Sequence, residues 1–511
     1  MDALLHHMGP LRPLGWAAFA FLVYGPLAAA LFDACTGASV DLLSARRADL
    51  LGASLLFSAS VAVLAMALGT AAALWLARHG EPLIRAGTGP LLATLAIPPT
   101  VYALAWSHAF AWLGVGGLSS GPWLIAGAAE TLSYLPAATG FALAALQAAD
   151  GELLQAGRLY RSATSVLARI VLPLARPALA GAAALIFLLS LLDYTIPSIF
   201  GVNVYALEIF VGFSASYRSA DAVLLAAPLI VLAGAAATIA VSSLRQVGQR
   251  TVGNELPRLL RELPNLGQGI LALAAASLML AIAAPAVGLM PGLTDPDYLL
   301  QTLHGAGPEI GYSFATSAAA ALLALLLALI PALELANRRA LWLWLLVLVP
   351  VSVPPALSGV GLIVFWASID RLPVYGTPWM TVAAEVARYA PVAAGLLAVA
   401  FRRIDSGLVD AALVSGNGWR AIWRRALLPL ARPGMLLVAG ASFALALGEL
   451  GAAVLVMPPG HNTLTVKTYN YLHYGGTPAA AGLCLAQFAL ALLGMFLAAM
   501  PAWRWRKAIP S

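Results

Sequence analysis

Five ionisable residues stand inside otherwise apolar stretches and are the first candidates for chemistry: Glu130, Asp193, Glu385, Arg388 and Glu449. A charge at the centre of a membrane-spanning helix costs about 2.5–3.5 kcal/mol on insertion scales, so such groups persist where they bind ions, line a pathway or pair with one another. Glu385 and Arg388 are three residues apart, neighbours on one helix face, and are expected to neutralise each other. Asp193 lies in "LLDYTIPSIFG" and Glu449 in "LGELGAAVLVMPPG". Paired carboxylates suit a cationic substrate, with Tyr194 as an oxygen donor for a hard ion, and the same groups could equally hold helix ends and fix a gate. No metal-ligand set can be assigned. Covalent chemistry finds no support: there is no HExxH helix, and the only lysines, Lys467 and Lys507, lie outside any Gly-x4-Gly-Lys-Ser/Thr loop. The reading is a non-enzyme that binds no cofactor of its own.

The elements that must position these groups follow from composition. Hydrophobic residues make up 61% of the chain and charged residues 10%, against about 25% charged in soluble domains. A bilayer core needs roughly 20 apolar residues per helix, and such runs recur, while the alternating pattern of a membrane barrel is absent. The expectation is an all-α polytopic membrane protein of about twelve spans, near 14–34, 50–77, 89–113, 123–146, 178–200, 222–243, 266–290, 313–336, 341–367, 378–400, 434–457 and 478–500. The first run has no small-residue cleavage site after it and reads as a retained helix, giving a mature chain close to full length. Cys35 and Cys484 make no disulfide framework and read as helix-packing residues. Basic residues are partitioned between loops. With the N-terminus inside, Arg78, Arg158, Arg161, Arg402, Arg403 and Arg420 fall among many on the inner side, against only Arg46, Arg47, Arg218, Arg371 and Lys467 outside. This bias places both termini in the cytoplasm of a multi-pass inner-membrane protein and argues against nucleic-acid binding.

The chain repeats. "LPLARP" at Leu172 to Pro177 recurs at Leu428 to Pro433; Glu130, Tyr134 and Pro136 answer to Glu385, Tyr389 and Pro391; Pro98-Pro99 answers to Pro354-Pro355; and Asp193 falls in register with Glu449. Order, spacing and polarity agree, so residues 1–243 and 266–511 read as two homologous six-helix repeats. Residues 244–265 form a polar, Arg-rich linker whose pattern also suits a short surface helix with Leu259 and Leu260 facing lipid headgroups.

The loops after the fourth and tenth spans carry the most specific motif. The second, "DSGLVDAALVSGNGWRAIWRRALLPLARP", sets Asp410, Ala411 and Ala412 ahead of Gly416 and a basic amphipathic stretch ending at Leu428-Pro429. Small alanines allow close approach and Gly416 permits a tight turn. This resembles the EAA loop of permeases from binding-protein-dependent ABC importers. The first loop departs from it: Gln155, Ala156 and Gly157 replace the triplet, Arg161 stands at the glycine position, and Pro173 keeps the Leu-Pro pair. Both halves also show the family's serine-rich start, at Ser54 and Ser58 and at Ser313 and Ser317.

The resemblance implies two copies of a cytoplasmic ABC ATPase, which bind ATP and Mg, docked on the two loops, and a periplasmic or lipid-anchored substrate-binding protein that delivers the cargo. Among such permeases the fused form and "GELGAAVLVMPPG" look most like those for ferric iron, with thiamine, phosphonate and polyamine permeases as alternatives. His461, Tyr469, Tyr471, His473 and Tyr474, in the last outside loop, could contact that receptor or anchor the final helices at the interface. An ion-coupled secondary transporter shares the repeats and the sparse buried carboxylates and is the competing class.

Overall fold

Proline sets where the long helices bend. The computed structural model describes residues 9, 11–35, 44–114, 121–146, 151–244, 255–337, 340–369, 371–415, 418–474 and 477–508, and among these every regular element is helical. Nine helices are long and apolar enough to cross a membrane, and up to twelve spans result if each bent helix pair counts as one. Two bends fall at the proline pairs. Glu81–Thr94 meets Pro99–Trp112 at 102°, and Leu341–Ser352 meets Pro355–Ala367 at 93°. The residue before a proline is driven out of the helical region: Pro98 is extended at ψ 149° and Pro354 at ψ 138°. These two spans, read from hydropathy as continuous, are therefore broken.

A single proline acts more gently. Three widened, π-helical turns occur, Ala20–Tyr24, Leu167–Val171 and Trp423–Leu427, each ending two residues before a proline: Pro26, Pro173 or Pro429. Proline donates no N–H and crowds the carbonyl four residues back, and a widened turn absorbs the misfit without ending the helix.

Contacts divide the chain into two compact units, one of residues 1–42, 206–230 and 295–511, the other of residues 43–205 and 231–294. These are a different division from the sequence repeat. In the first unit, Gly307–Asn337 packs on Trp379–Phe401 and Leu428–Leu447, while the N-terminal Gly25–Ala34 helix packs on Pro355–Ala367. In the second, Ala45–His79 packs on Pro122–Leu146 and Leu172–Leu192, while Asn265–Gly288 packs on Ala45–His79 and Pro99–Trp112. Each unit thus holds the first span of the other repeat.

Glycine makes these exchanged contacts close. A Cβ at Gly361 would stand 2.5 Å from the Pro26 carbonyl oxygen, and one at Gly288 would stand 2.5 Å from that of Ala105. Membrane helices associate by such backbone approach. The serine-rich starts are also used alike: Ser54 Oγ accepts the Tyr205 N–H at 2.8 Å, and Ser313 Oγ accepts the Leu464 N–H at 2.7 Å, both across 151 residues. Cys484 is buried among helices, whereas Cys35 is exposed, its thiol donating to the Leu31 carbonyl at 3.6 Å.

The linker does form a helix, Glu255–Arg261, yet its apolar face is not turned to lipid headgroups. Leu256, Leu259 and Leu260 are buried in one core with Leu154, Val166, Val171 and Leu271. Full burial of a leucine is worth about 1.5–3 kcal/mol, so packing into this core outweighs a surface position.

Candidate functional site

Two sets of groups stand where the sequence reading put function: the loop helices and the buried carboxyls. In the second loop, Ser406–Val414 is followed by Trp419–Ile422, the widened turn and Leu428–Leu447. Asp405 Oδ1 accepts the Gly407 N–H at 2.9 Å and fixes the entry to the first of these helices. In the first loop, Gly151–Tyr160 is followed by Ala163–Val166, its widened turn and Leu172–Leu192.

Burial runs in register. Leu154 and Val409 are buried; Gln155 with Ala156, and Asp410 with Ala411, are exposed; Gly157 and Ala412 are half-buried. A Cβ at Gly157 would lie 2.7 Å from Ile170 Cδ1, so the smallest residue lets the two short helices of that loop touch. Each loop helix also leaves large apolar side chains bare, Leu159 and Tyr160 at 79% and 87% exposure and Leu408 and Val414 at 52% and 89%. Pro173 and Pro429 each occupy the second position of a helix after the widened turn. Gly416 lies outside the described residues.

The carboxyls come in two chemically unequal groups. In the first unit, Glu449 is held on every side: Oε2 accepts from Arg388 Nε at 2.9 Å and from the Tyr389 hydroxyl at 2.5 Å, and Oε1 accepts the Ala452 N–H at 2.8 Å. Arg388 therefore neutralises Glu449 and not Glu385, the neighbour that helical spacing favours. Glu385, with Oε2 unpartnered, lies beside Thr316. In the second unit, Asp193 Oδ1 accepts the Thr195 N–H at 2.7 Å, and Glu130 faces the Ser190 hydroxyl; neither carboxyl has an ion-pair partner among the described residues. Ser133 stands at the register position of Arg388 and donates to the Ala129 carbonyl at 2.7 Å. One group carries a fixed cation and the other does not. Tyr194 is buried beside Asp193.

Asp193 and Glu449 both sit where a span ends and a short helix begins, Thr195–Ile199 or Ala453–Val456. The carbonyl freed at Leu447 is met by Thr465 Oγ1 at 2.5 Å and Gln487 Nε2 at 3.1 Å. Backbone groups at membrane depth require such partners. Sequence reasoning missed Thr465 and Gln487, although a lone glutamine in an apolar span was a usable signal. It also missed Glu334, which is buried and accepts from Arg12 Nε at 2.5 Å and Trp16 Nε1 at 2.9 Å. In the last loop, Lys467 pairs with Glu309 at 2.8 Å, the Tyr469 and His473 rings lie 4.1 Å apart, and Tyr474 is exposed. No group of three or more His, Cys, Asp or Glu placed to hold a metal occurs among the described residues.

Comparison with known proteins bears on the same elements. A protein of Salmonella paratyphi A named "Putative 2-aminoethylphosphonate transport system permease protein PhnV" is 28% identical over 213 residues, 41% of this chain and 80% of its own. The proteins of that name from Salmonella typhi and Salmonella typhimurium strain LT2 are 28% and 27% identical over the same length and shares. This likeness supports an ABC importer permease. With the apolar helices, it also supports a multi-pass inner-membrane protein whose role is transport and not catalysis. No family model matches the chain, and no solved structure does.

Proposed function

We propose that this chain is the membrane-spanning subunit of an ATP-driven importer of an aminophosphonate, with both termini and both loop helices on the cytoplasmic side. Two copies of a separate ATPase dock on Gly151–Tyr160 and Ser406–Val414, and a periplasmic or lipid-anchored receptor delivers the substrate from the other face. The observation that carries the reading is the register of buried and exposed positions between the two loops, with bare leucine, valine and tyrosine side chains on both. The relatives' name moves the substrate from ferric iron to the phosphonate alternative. For the ammonium end of such a substrate the candidate partners are the Glu130 and Asp193 carboxyls, which have no ion-pair partner among the described residues; the anionic phosphonate end would have to lie away from them.

The test is uptake of labelled 2-aminoethylphosphonate by host cells with and without this chain. The reading expects uptake that needs the chain, falls when ATP is depleted, persists when ionophores collapse ion gradients, and is not competed by ferric iron or thiamine. Uptake abolished by ionophores while ATP is kept high would favour the second reading, an ion-coupled transporter, for which Glu130 and Asp193, neither ion-paired among the described residues, are the specific observation.

A further inference from the structure

We propose that Glu255, on the segment joining the two repeats, gives the first loop a carboxylate at the motif's acidic position, where its own sequence has Gln155, and so positions that loop for the ATPase. The role in coupling rests on the importer reading above. At the motif's acidic position the second loop has Asp410 and the first has Gln155, and at the position of Leu413 the first loop has Arg158. Both departures turn to one residue. Arg158 Nη1 lies 3.0 Å from Glu255 Oε2, and the Gln155 side-chain amide faces the same carboxylate. Arg258 Nη1 takes the other oxygen, Oε1, at 3.0 Å, and the second Arg158 nitrogen reaches Glu262. Two arginines and two glutamates close a balanced network, in which Glu255 is 8% exposed.

The linker is anchored well beyond the need to join two halves. Its leucines share a core with Leu154 of the loop helix. Gln268 Nε2 donates to the Leu260 and Leu263 carbonyls at 3.0 and 3.1 Å, and Arg261 Nε donates to the Arg78 carbonyl at 3.4 Å. A loop helix with Gln155 at the motif's acidic position and a cation at Arg158, and with Glu152 in its first turn, thus meets a packed helix presenting the charge complementary to Arg158. Gln155, then Arg258 and Arg158, hold the Glu255 carboxyl below its ordinary value. The end of Ala45–His79 packed on the linker carries Arg78 and His79, and His79 Nδ1 is bound to the Trp75 carbonyl at 2.8 Å. Because the folded value is lowered, the pairing is complete at neutral pH and is lost as pH falls through the carboxylate range.

The test is hydrogen–deuterium exchange of the purified full-length chain, comparing 151–160 with 406–414 as the internal reference. Glu255→Gln is expected to raise exchange at 151–160 by about tenfold with 406–414 unchanged. The wild-type ratio of the two segments should rise on acidification while the Glu255→Gln ratio stays flat, which packing of the leucines alone would not produce. In cells, Glu255→Gln should lower ATP-driven uptake of 2-aminoethylphosphonate, and adding Gln155→Asp should recover part of it. Wild-type exchange at 151–160 in Glu255→Gln, or an equal rise at 406–414, would overturn the proposal. The expected exchange pattern together with a wild-type chain that supports no ATP-driven uptake would overturn the importer reading, and the coupling role with it.

Discussion

Arg388 shows how one side chain decides the state of a buried site. Its guanidinium lies 2.9 Å from Glu449, itself 4% exposed. Removing one partner of a buried ion pair strands the other and costs about 3–5 kcal/mol. Arg388→Leu is therefore expected to lower the thermal unfolding midpoint of the purified chain sharply, and Arg388→Leu/Glu449→Gln to regain much of the loss. Equal midpoints for the two variants would show that the charge pair is not what holds this end of the span. The sequence revealed that Arg388 needed a carboxylate but favoured the wrong one. Helical spacing reports neighbours on one helix, and the actual partner came from a different helix that only the tertiary fold brings near. That Ser133 stands where Arg388 does could be read by register, yet the absence of an ion-pair partner for Glu130 among the described residues could not, because it is a property of everything around that group.

At the scale of the element, proline and glycine carry more information than hydropathy. The pairs Pro98-Pro99 and Pro354-Pro355 were visible as repeat markers, and an averaged apolar run still bridges them, which is why two bent pairs read as straight spans. The linker helix was legible as a pattern of leucines, but a pattern does not say whether lipid or protein covers them. Gly361 and Gly288 were silent in the sequence because close approach depends on the helix opposite. Alanine at either would press a methyl group against backbone, with 2.5 Å to the nearest oxygen. Gly361→Ala and Gly288→Ala should each destabilise the purified chain by about 1–3 kcal/mol in thermal or denaturant unfolding. Gly269→Ala, on the same helix as Gly288 with nothing within 4 Å of the new Cβ, should be neutral or slightly stabilising. A loss at Gly269 as large as at Gly288 would contradict the close-packing account.

At the scale of the whole molecule, the helical spans were readable because a membrane imposes length and apolarity on any helix that crosses it. The grouping of residues 1–42 with 295–511, and of 231–294 with 43–205, was not readable, since hydropathy reports spans one at a time and packing depends on contacts between them. The substrate was the least legible feature: the residues around Asp193 and Glu449 suggested ferric iron, and the similarity to permeases named for 2-aminoethylphosphonate points elsewhere.

The central claim is that the two loop helices receive an ATPase, and Leu408 and Val414 are bare enough to test it without disturbing the core. The measurement is mass-spectrometric identification of proteins cross-linked to the tagged chain in host membranes, for wild type and for Leu408→Asp/Val414→Asp. The account predicts a subunit bearing a Gly-x4-Gly-Lys-Ser/Thr loop with the wild type, and about tenfold less of it with a correctly inserted variant. Recovery of no such subunit, or of equal amounts from both, would contradict it.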